Sequence, residues 1–175
     1  TEKESCRPVG VYGALKYSSE IIIKAYSQVF GIKYTIVRPS ALYGERCISR
    51  RVGQIFIESA LNNAEIKIQG DGNEKLDFTY IEDLVGGIVN VLESKNSVNE
   101  TFNITYGESR SINTLLNILK KEFKNIKVSY EKRDKLMPIR GTLSTAKAIK
   151  LIGYSSKWSL ENGYPRYIDW YKSIF

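Results

Sequence analysis

Tyr12-Gly13-Ala14-Leu15-Lys16 opens an apolar-periodic run that closes at Gly31, and Lys33-Tyr34-Thr35-Ile36-Val37-Arg38-Pro39 follows it. From Ala14 on, Leu15, Ile22, Ala25 or Tyr26, and Val29 recur on one helical face. Gly31 stands where a left-handed residue ends a helix. Residues 33–38 then alternate and are rich in Tyr, Thr, Ile and Val, the pattern of a strand, which Pro39 closes. A long helix, a short turn and a strand are the repeating unit of a parallel sheet. The fold class read from this stretch is α/β.

Within the run, Tyr12 and Lys16 lie one helical turn apart on one face. An ammonium placed near a phenol stabilises the phenolate, and a phenol so placed can give or take a proton at neutral pH. The plainer reading is an amphipathic helix with a Tyr at its start. The pair alone does not decide between them.

The 175 residues are 42% hydrophobic and 26% charged, which suits one globular unit with a core. No apolar run has the length of a membrane span, and no apolar segment of signal type opens the chain. A cytoplasmic protein without membrane contact is expected. Histidine is absent, and Cys6 and Cys47 are the only cysteines, so zinc sites built on His and His-based acid/base catalysis are excluded. The net charge of +7 suits an anionic partner, but the Lys and Arg are scattered and no nucleic-acid-binding signature occurs. Nucleic acid is not expected as a partner.

Further along, Arg38-Pro39-Ser40-Ala41-Leu42-Tyr43-Gly44 reads as a strand end running into a loop, which is where open α/β sheets bind ligands. A helix is predicted over 51–62 with Val52, Ile55, Phe56 and Ala60 buried, a strand over 66–69, a turn at Gly70-Asp71-Gly72-Asn73, and a strand over 76–81. Asp83 is expected to cap a helix through about Leu92. A strand over 101–105 precedes a helix capped by Ser111, whose Ile112, Leu115, Leu116, Leu119 and Phe123 form the clearest amphipathic stripe. Residues 127–131 read as a strand and 132–141 as loop. Ser144 is expected to cap a short helix ended by Gly153, and a last helix runs from about Glu161 with Pro165 in its first turn or at a kink.

Taken together, Tyr12-Gly-Ala-Leu-Lys16, Arg38-Pro-Ser-Ala-Leu-Tyr-Gly44, Gly70-Asp-Gly72, Asp77-Phe-Thr-Tyr-Ile-Glu-Asp83 and Phe102-Asn-Ile104 stand in a recognisable order. The chain resembles the C-terminal part of the extended short-chain dehydrogenase/reductase family, the NAD-dependent nucleotide-sugar epimerases and dehydratases. That resemblance implies a remnant of a Rossmann-type doubly wound parallel sheet plus a smaller α/β substrate-binding domain. Residues 1–50 and 76–106 would belong to the NAD-binding domain, and 51–75 and 107–175 to the nucleotide-sugar domain.

By the same resemblance, Tyr12 would be the acid/base on a sugar hydroxyl, and Lys16 would assist it and hold the nicotinamide ribose. Pro39 and Ser40 would face the nicotinamide of NAD, with NADP the alternative. Ala41 stands where many relatives carry an Asn that reaches the substrate. Lys67 and Gln69 match the strand along the nucleotide base, though the solvent face of an alternating strand explains them equally. Arg140 matches an arginine on the diphosphate, and Leu76 replaces another. Glu20, Arg46 and Asp83 read as structural.

The family opens with a strand and a Gly-rich turn that hold the dinucleotide pyrophosphate, and no strand leading into such a turn is seen here. The resulting expectation is part of an enzyme that is inactive by itself, or a module that binds only nucleotide sugar or a partner. It would expose a sheet face and edge and so be poorly soluble or self-associate. A nucleotide-diphosphate sugar is the expected ligand, and a homodimer the expected state of the longer protein. Epimerase is favoured over dehydratase because no acidic residue flanks Tyr12.

Overall fold

In the computed structural model, which describes residues 1–134 and 136–175, the elements follow in the order α1 Gly10–Phe30, β1 Thr35–Arg38, β2 Leu42–Tyr43, α2 Val52–Leu61 and β3 Ile66–Gln69. Then come β4 Lys75–Leu76, β5 Thr79–Tyr80, α3 Ile81–Glu93, a 3-10 turn Lys95–Ser97 and β6 Glu100–Asn103. β7 Arg110–Ser111, α4 Ile112–Glu122, β8 Val128–Glu131, α5 Ala146–Ile152 and α6 Leu160–Ile174 complete the chain. Lys135, inside the loop expected over 132–141, lies outside the described residues.

Three strand pairs are parallel and join distant segments. β1 pairs with β6, setting Val37 opposite Phe102; β2 pairs with β5; β3 pairs with β8, setting Ile68 opposite Tyr130. The short β4 and β7 are antiparallel. Parallel pairing requires crossovers, and helices supply them. The α/β reading holds.

Two apolar clusters hold these pieces. The larger gathers α2, α4 and α6 around β3, β4 and β5, and is unusually rich in tyrosine. Tyr43 meets the Tyr164 and Phe78 rings edge-on, at 6.1 and 6.4 Å between centroids, the arrangement that aromatic quadrupoles favour. Gly163 makes this possible, because a Cβ there would collide with the Tyr43 hydroxyl. The smaller cluster packs α3 and α5 against β6, through Leu84, Val91, Phe102, Ile104, Ala148, Ile152 and Tyr154.

Local chemistry explains most of the boundaries. Gly31 ends α1 in the left-handed region, donating to the Ser27 carbonyl, and Gly153 ends α5 in the same way. Ser111 caps α4 by accepting from Thr114 N–H. At Gly70-Asp71-Gly72 both glycines have positive φ, and a side chain on Gly72 would strike Asn113, whose N–H donates to the Gly72 carbonyl.

Several expectations need correction. α1 begins at Gly10 rather than Ala14, and its apolar stripe is not buried: no residue of α1 is. The strand expected over 76–81 is two shorter ones, β4 and β5, and α3 starts directly at Ile81. Asp83 therefore sits inside the first turn of α3 and does not cap it. Its buried carboxylate instead accepts the Lys157 and Trp158 N–H groups at 2.9 and 3.0 Å, tying α3 to the approach of α6. The cap of α5 is Thr145, with Ser144 one residue before it. Ser159 caps α6, and Pro165 lies beyond the first turn of that helix, leaving the Glu161 carbonyl without its usual donor.

Candidate active site

β2, β3 and β4, the start of α2, the start of α4 and the loop 137–140 enclose a cavity of about 430 Å³. Four residues picked out in the sequence line it: Ala41, Lys67, Gln69 and Arg140. Strand alternation explains two of them. Ile66 and Ile68 of β3 are buried, so Lys67 and Gln69 project to the outer face. Ala41 has a φ of 28°, a bend that turns the chain from Ser40 into β2. Leu76 also lines the cavity, and with Ile68, Phe78, Phe56 and Ile112 gives it an apolar floor.

Charge is confined to a few side chains around this floor. Lys67 is held by Glu131 across the β3–β8 pair at 3.1 Å, and this hydrogen bond raises the Lys67 pKa. Glu74 is neutralised by Arg133 at 3.0 Å. Arg51 and Arg140 make no ion pair among the described residues.

Sequence reasoning missed Arg51, Val52 and Gly53. Arg51 is the N-cap of α2, and its side chain makes no capping bond to the helix. The first-turn residues Val52 and Gly53 line the cavity. A helix start of this kind leaves N–H groups and a positive dipole end for an anion. The available signal was a basic pair, Arg50-Arg51, at the predicted start of a helix, where acidic residues are the usual choice.

Tyr12 and Lys16 do not line this cavity. Both are exposed on α1, with the Lys16 ammonium 5.7 Å from the centre of the Tyr12 ring. Topology gives their side of the molecule. The chain reverses between α1 and β1, and Glu20 receives a two-point hydrogen bond from Arg38, the last residue of β1, at 2.8 and 2.6 Å. Tyr12 lies eight residues, about 12 Å, nearer the helix start than Glu20. The phenol and ammonium thus stand beyond the carboxyl end of β1. Pro39 and Ser40, exposed and half-buried, leave the same strand end toward Ala41.

The NAD dependent epimerase/dehydratase family profile matches residues 1–105, and this chain belongs to that family. A putative UDP-glucose 4-epimerase of Methanocaldococcus jannaschii is 35% identical over 98% of this chain and 56% of its own length. An uncharacterized UDP-glucose epimerase of Bacillus subtilis is 30% identical over all of this chain and 56% of its own length. Among solved structures, the UDP-glucuronic acid 4-epimerase of Bacillus cereus, in complex with UDP-glucuronic acid and NAD, superposes with a TM-score of 0.95. It is 30% identical, and the match covers all of this chain and 56% of that one. The chain thus spans about half the length of the relatives it matches, and its fold is that of the Rossmann-type NAD-dependent epimerases.

Proposed function

We propose that this chain carries the acid/base pair and the nucleotide-sugar cavity of an NAD-dependent nucleotide-sugar 4-epimerase. The observation that supports it most is the cavity itself. It has an apolar floor, two arginines without ion-pair partners among the described residues and an uncapped helix start, and Ala41, in the loop that leaves the carboxyl end of β1, lines it. An apolar floor suits a base and ribose, while guanidinium and helix N–H groups suit a diphosphate. UDP is the nucleotide carrier named in the three relatives described above, so a UDP-hexose is the substrate class proposed.

In this reading Arg140 and Arg51 pair with the diphosphate, taking the place of the arginine that Leu76 does not provide. Lys67 and Gln69 lie along the base. Tyr12 takes the proton of the sugar hydroxyl as the alkoxide carbon becomes a carbonyl, and returns it to the opposite face product. Lys16 stabilises the phenolate that exists before the proton is taken and again after it is returned. Tyr12, Lys16, Pro39 and Ser40 would hold the nicotinamide end of NAD, because they share the strand end and leave a phenol and an ammonium accessible. The chemistry that NAD supplies when bound is reversible hydride exchange with the sugar carbon. Epimerisation is favoured over dehydration because no acidic residue stands between Glu4 and Glu20 to expel water.

The test is Tyr12→Phe in the protein as its host makes it. Turnover of UDP-hexose should fall at least about a hundred-fold, with UDP-sugar affinity nearly unchanged. Turnover retained at the wild-type level refutes the assignment of Tyr12.

A second reading is favoured by one observation: no residue of α1, the helix that carries Tyr12 and Lys16, is buried. On it, the 175-residue chain binds nucleotide sugar but does not turn it over. Calorimetry on this chain with UDP, beside a turnover assay with UDP-hexose and NAD, separates the readings, since turnover contradicts the second.

A further inference from the structure

The floor of the cavity and the loop beside it are tied to one short stretch, Glu74 to Asp77. Leu76 and Phe78 line the cavity, so Asp77 between them turns to the opposite side, where it is fully buried. There its carboxylate accepts three hydrogen bonds. The Thr105 hydroxyl and the Leu143 N–H donate to Oδ2 at 2.9 and 3.1 Å, and the Gly107 N–H donates to Oδ1 at 3.1 Å. At the other end of the stretch, Glu74 accepts from Arg133 Nη2 at 3.0 Å. The same nitrogen donates to the carbonyls of Met137 and Pro138, each at 3.1 Å.

Arg140 lies between these two anchors, after Pro138 and before Leu143. Its own side chain is exposed and forms no hydrogen bond to another described residue. What places it at the cavity is its backbone, and the backbone is held from both sides by the stretch 74–77. We propose that Asp77 and Arg133 are positioning residues for nucleotide-diphosphate binding: acting through the loop 137–143, they hold Arg140 over the cavity. This rests on reading the cavity as the nucleotide-sugar site.

The chemistry of Asp77 makes the idea sharp. Each carboxylate oxygen faces a backbone donor, so only a group with acceptors on both sides serves. In Asp77→Asn an amide NH2 must face either Gly107 or Leu143 N–H, and one tether is lost. Arg140 must then be ordered when the diphosphate arrives, at the expense of affinity. Arg133→Gln breaks the other anchor, since a neutral amide cannot bind the Glu74 carboxylate and two carbonyls as a guanidinium does.

The experiment measures UDP and uridine binding by calorimetry on the protein as its host makes it. The variants are Arg140→Ala, Asp77→Asn and the two combined, with KM and kcat recorded for each. Asp77→Asn should weaken UDP about ten-fold, leave uridine unchanged, and raise KM with kcat retained. On the Arg140→Ala background it should cause no further loss, because the residue it positions is gone. UDP affinity unchanged in Arg140→Ala would overturn the diphosphate reading of the cavity, and the proposal with it. A loss in Arg140→Ala without one in Asp77→Asn would overturn the positioning role and leave the site reading standing. So would losses that add in full, or an equal loss for uridine. If Asp77→Asn does not give folded protein, Arg133→Gln, on a partly exposed side chain, carries the same comparison with the same outcomes.

Discussion

Replacing Glu20 by Gln tests how the helix bearing Tyr12 and Lys16 is attached. Among the described residues, the side-chain hydrogen bonds from α1 to another element are the two that Arg38 donates to Glu20. No residue of α1 is buried, so packing contributes little that would mask their loss. The Glu20 hydrogen bond raises the Arg38 pKa further, and that guanidinium stays charged at every usable pH. In Glu20→Gln the carboxamide keeps one acceptor but turns an NH2 toward the guanidinium, and the charge is gone. A hydrogen bond to a charged group contributes about 1.5–3 kcal/mol. The two side chains are 21% and 16% exposed, so water compensates in part and the lower half of that range applies, about 2 kcal/mol. Local opening of α1 should then become about thirty-fold more frequent. Native-state hydrogen exchange on the 175-residue chain reads this directly: the amides of α1 should exchange about thirty-fold faster, with those of α4 unchanged. Equal acceleration in α4, or none in α1, would refute the claim that this pair is the anchor of the helix.

Tyr164 donates its buried hydroxyl to the Gly53 carbonyl at 2.8 Å, at the start of α2. Tyr164→Phe should cost about 1–2 kcal/mol and lower Tm by about 2–8 °C in a thermal melt, and an unchanged Tm would show that the carbonyl finds another donor. Burial, opposed by hydrogen bonds from Leu143, Thr105 and Gly107, holds the Asp77 carboxyl above its ordinary value. The folded state therefore keeps a proton on Asp77 that the unfolded chain has released. The contribution of this group to stability is fully present below the unfolded pKa and is lost as pH rises through the folded one. Urea midpoints for the wild type and Asp77→Asn should thus move apart in favour of the wild type between about pH 7 and about pH 4. A shift in favour of Asn would mean that the three hydrogen bonds outweigh burial.

The longer elements were legible because their periods were long enough to show. The stripe from Ile112 to Leu119 became α4, and the alternation Ile66-Lys67-Ile68-Gln69 became β3. β2 and β7 have two residues each, too few for any period, and exist only because β5 and β4 lie beside them. The stripe of α1 was real as a pattern, but its burial depends on neighbours that a pattern does not contain. The grouping of Ala41, Lys67, Gln69 and Arg140 at one cavity came from family resemblance, not from periodicity. Arg51 was visible as a charge but not as a cavity residue, since its place depends on how α2 meets β3. The part played by Asp83 was misjudged for a related reason. Its acceptor role is filled by Lys157 and Trp158, which lie far along the chain, and not by its own helix.

The cavity also bears on how the chain acquires its form. Its walls come from β3 and β4 on one side and the loop after β8 on the other, and the strand pairs that bring such parts together join segments roughly sixty residues apart. Closing loops of that length is slow compared with winding α4 or α6. If the cavity is the nucleotide site proposed above, it can form only after segments from Ala41 to Arg140 have met. On the proposed reading of the cavity, fluorescent UDP on stalled nascent chains of increasing length becomes a clock for its assembly, with capture expected only once Arg140, and α6 that packs against α2, have emerged.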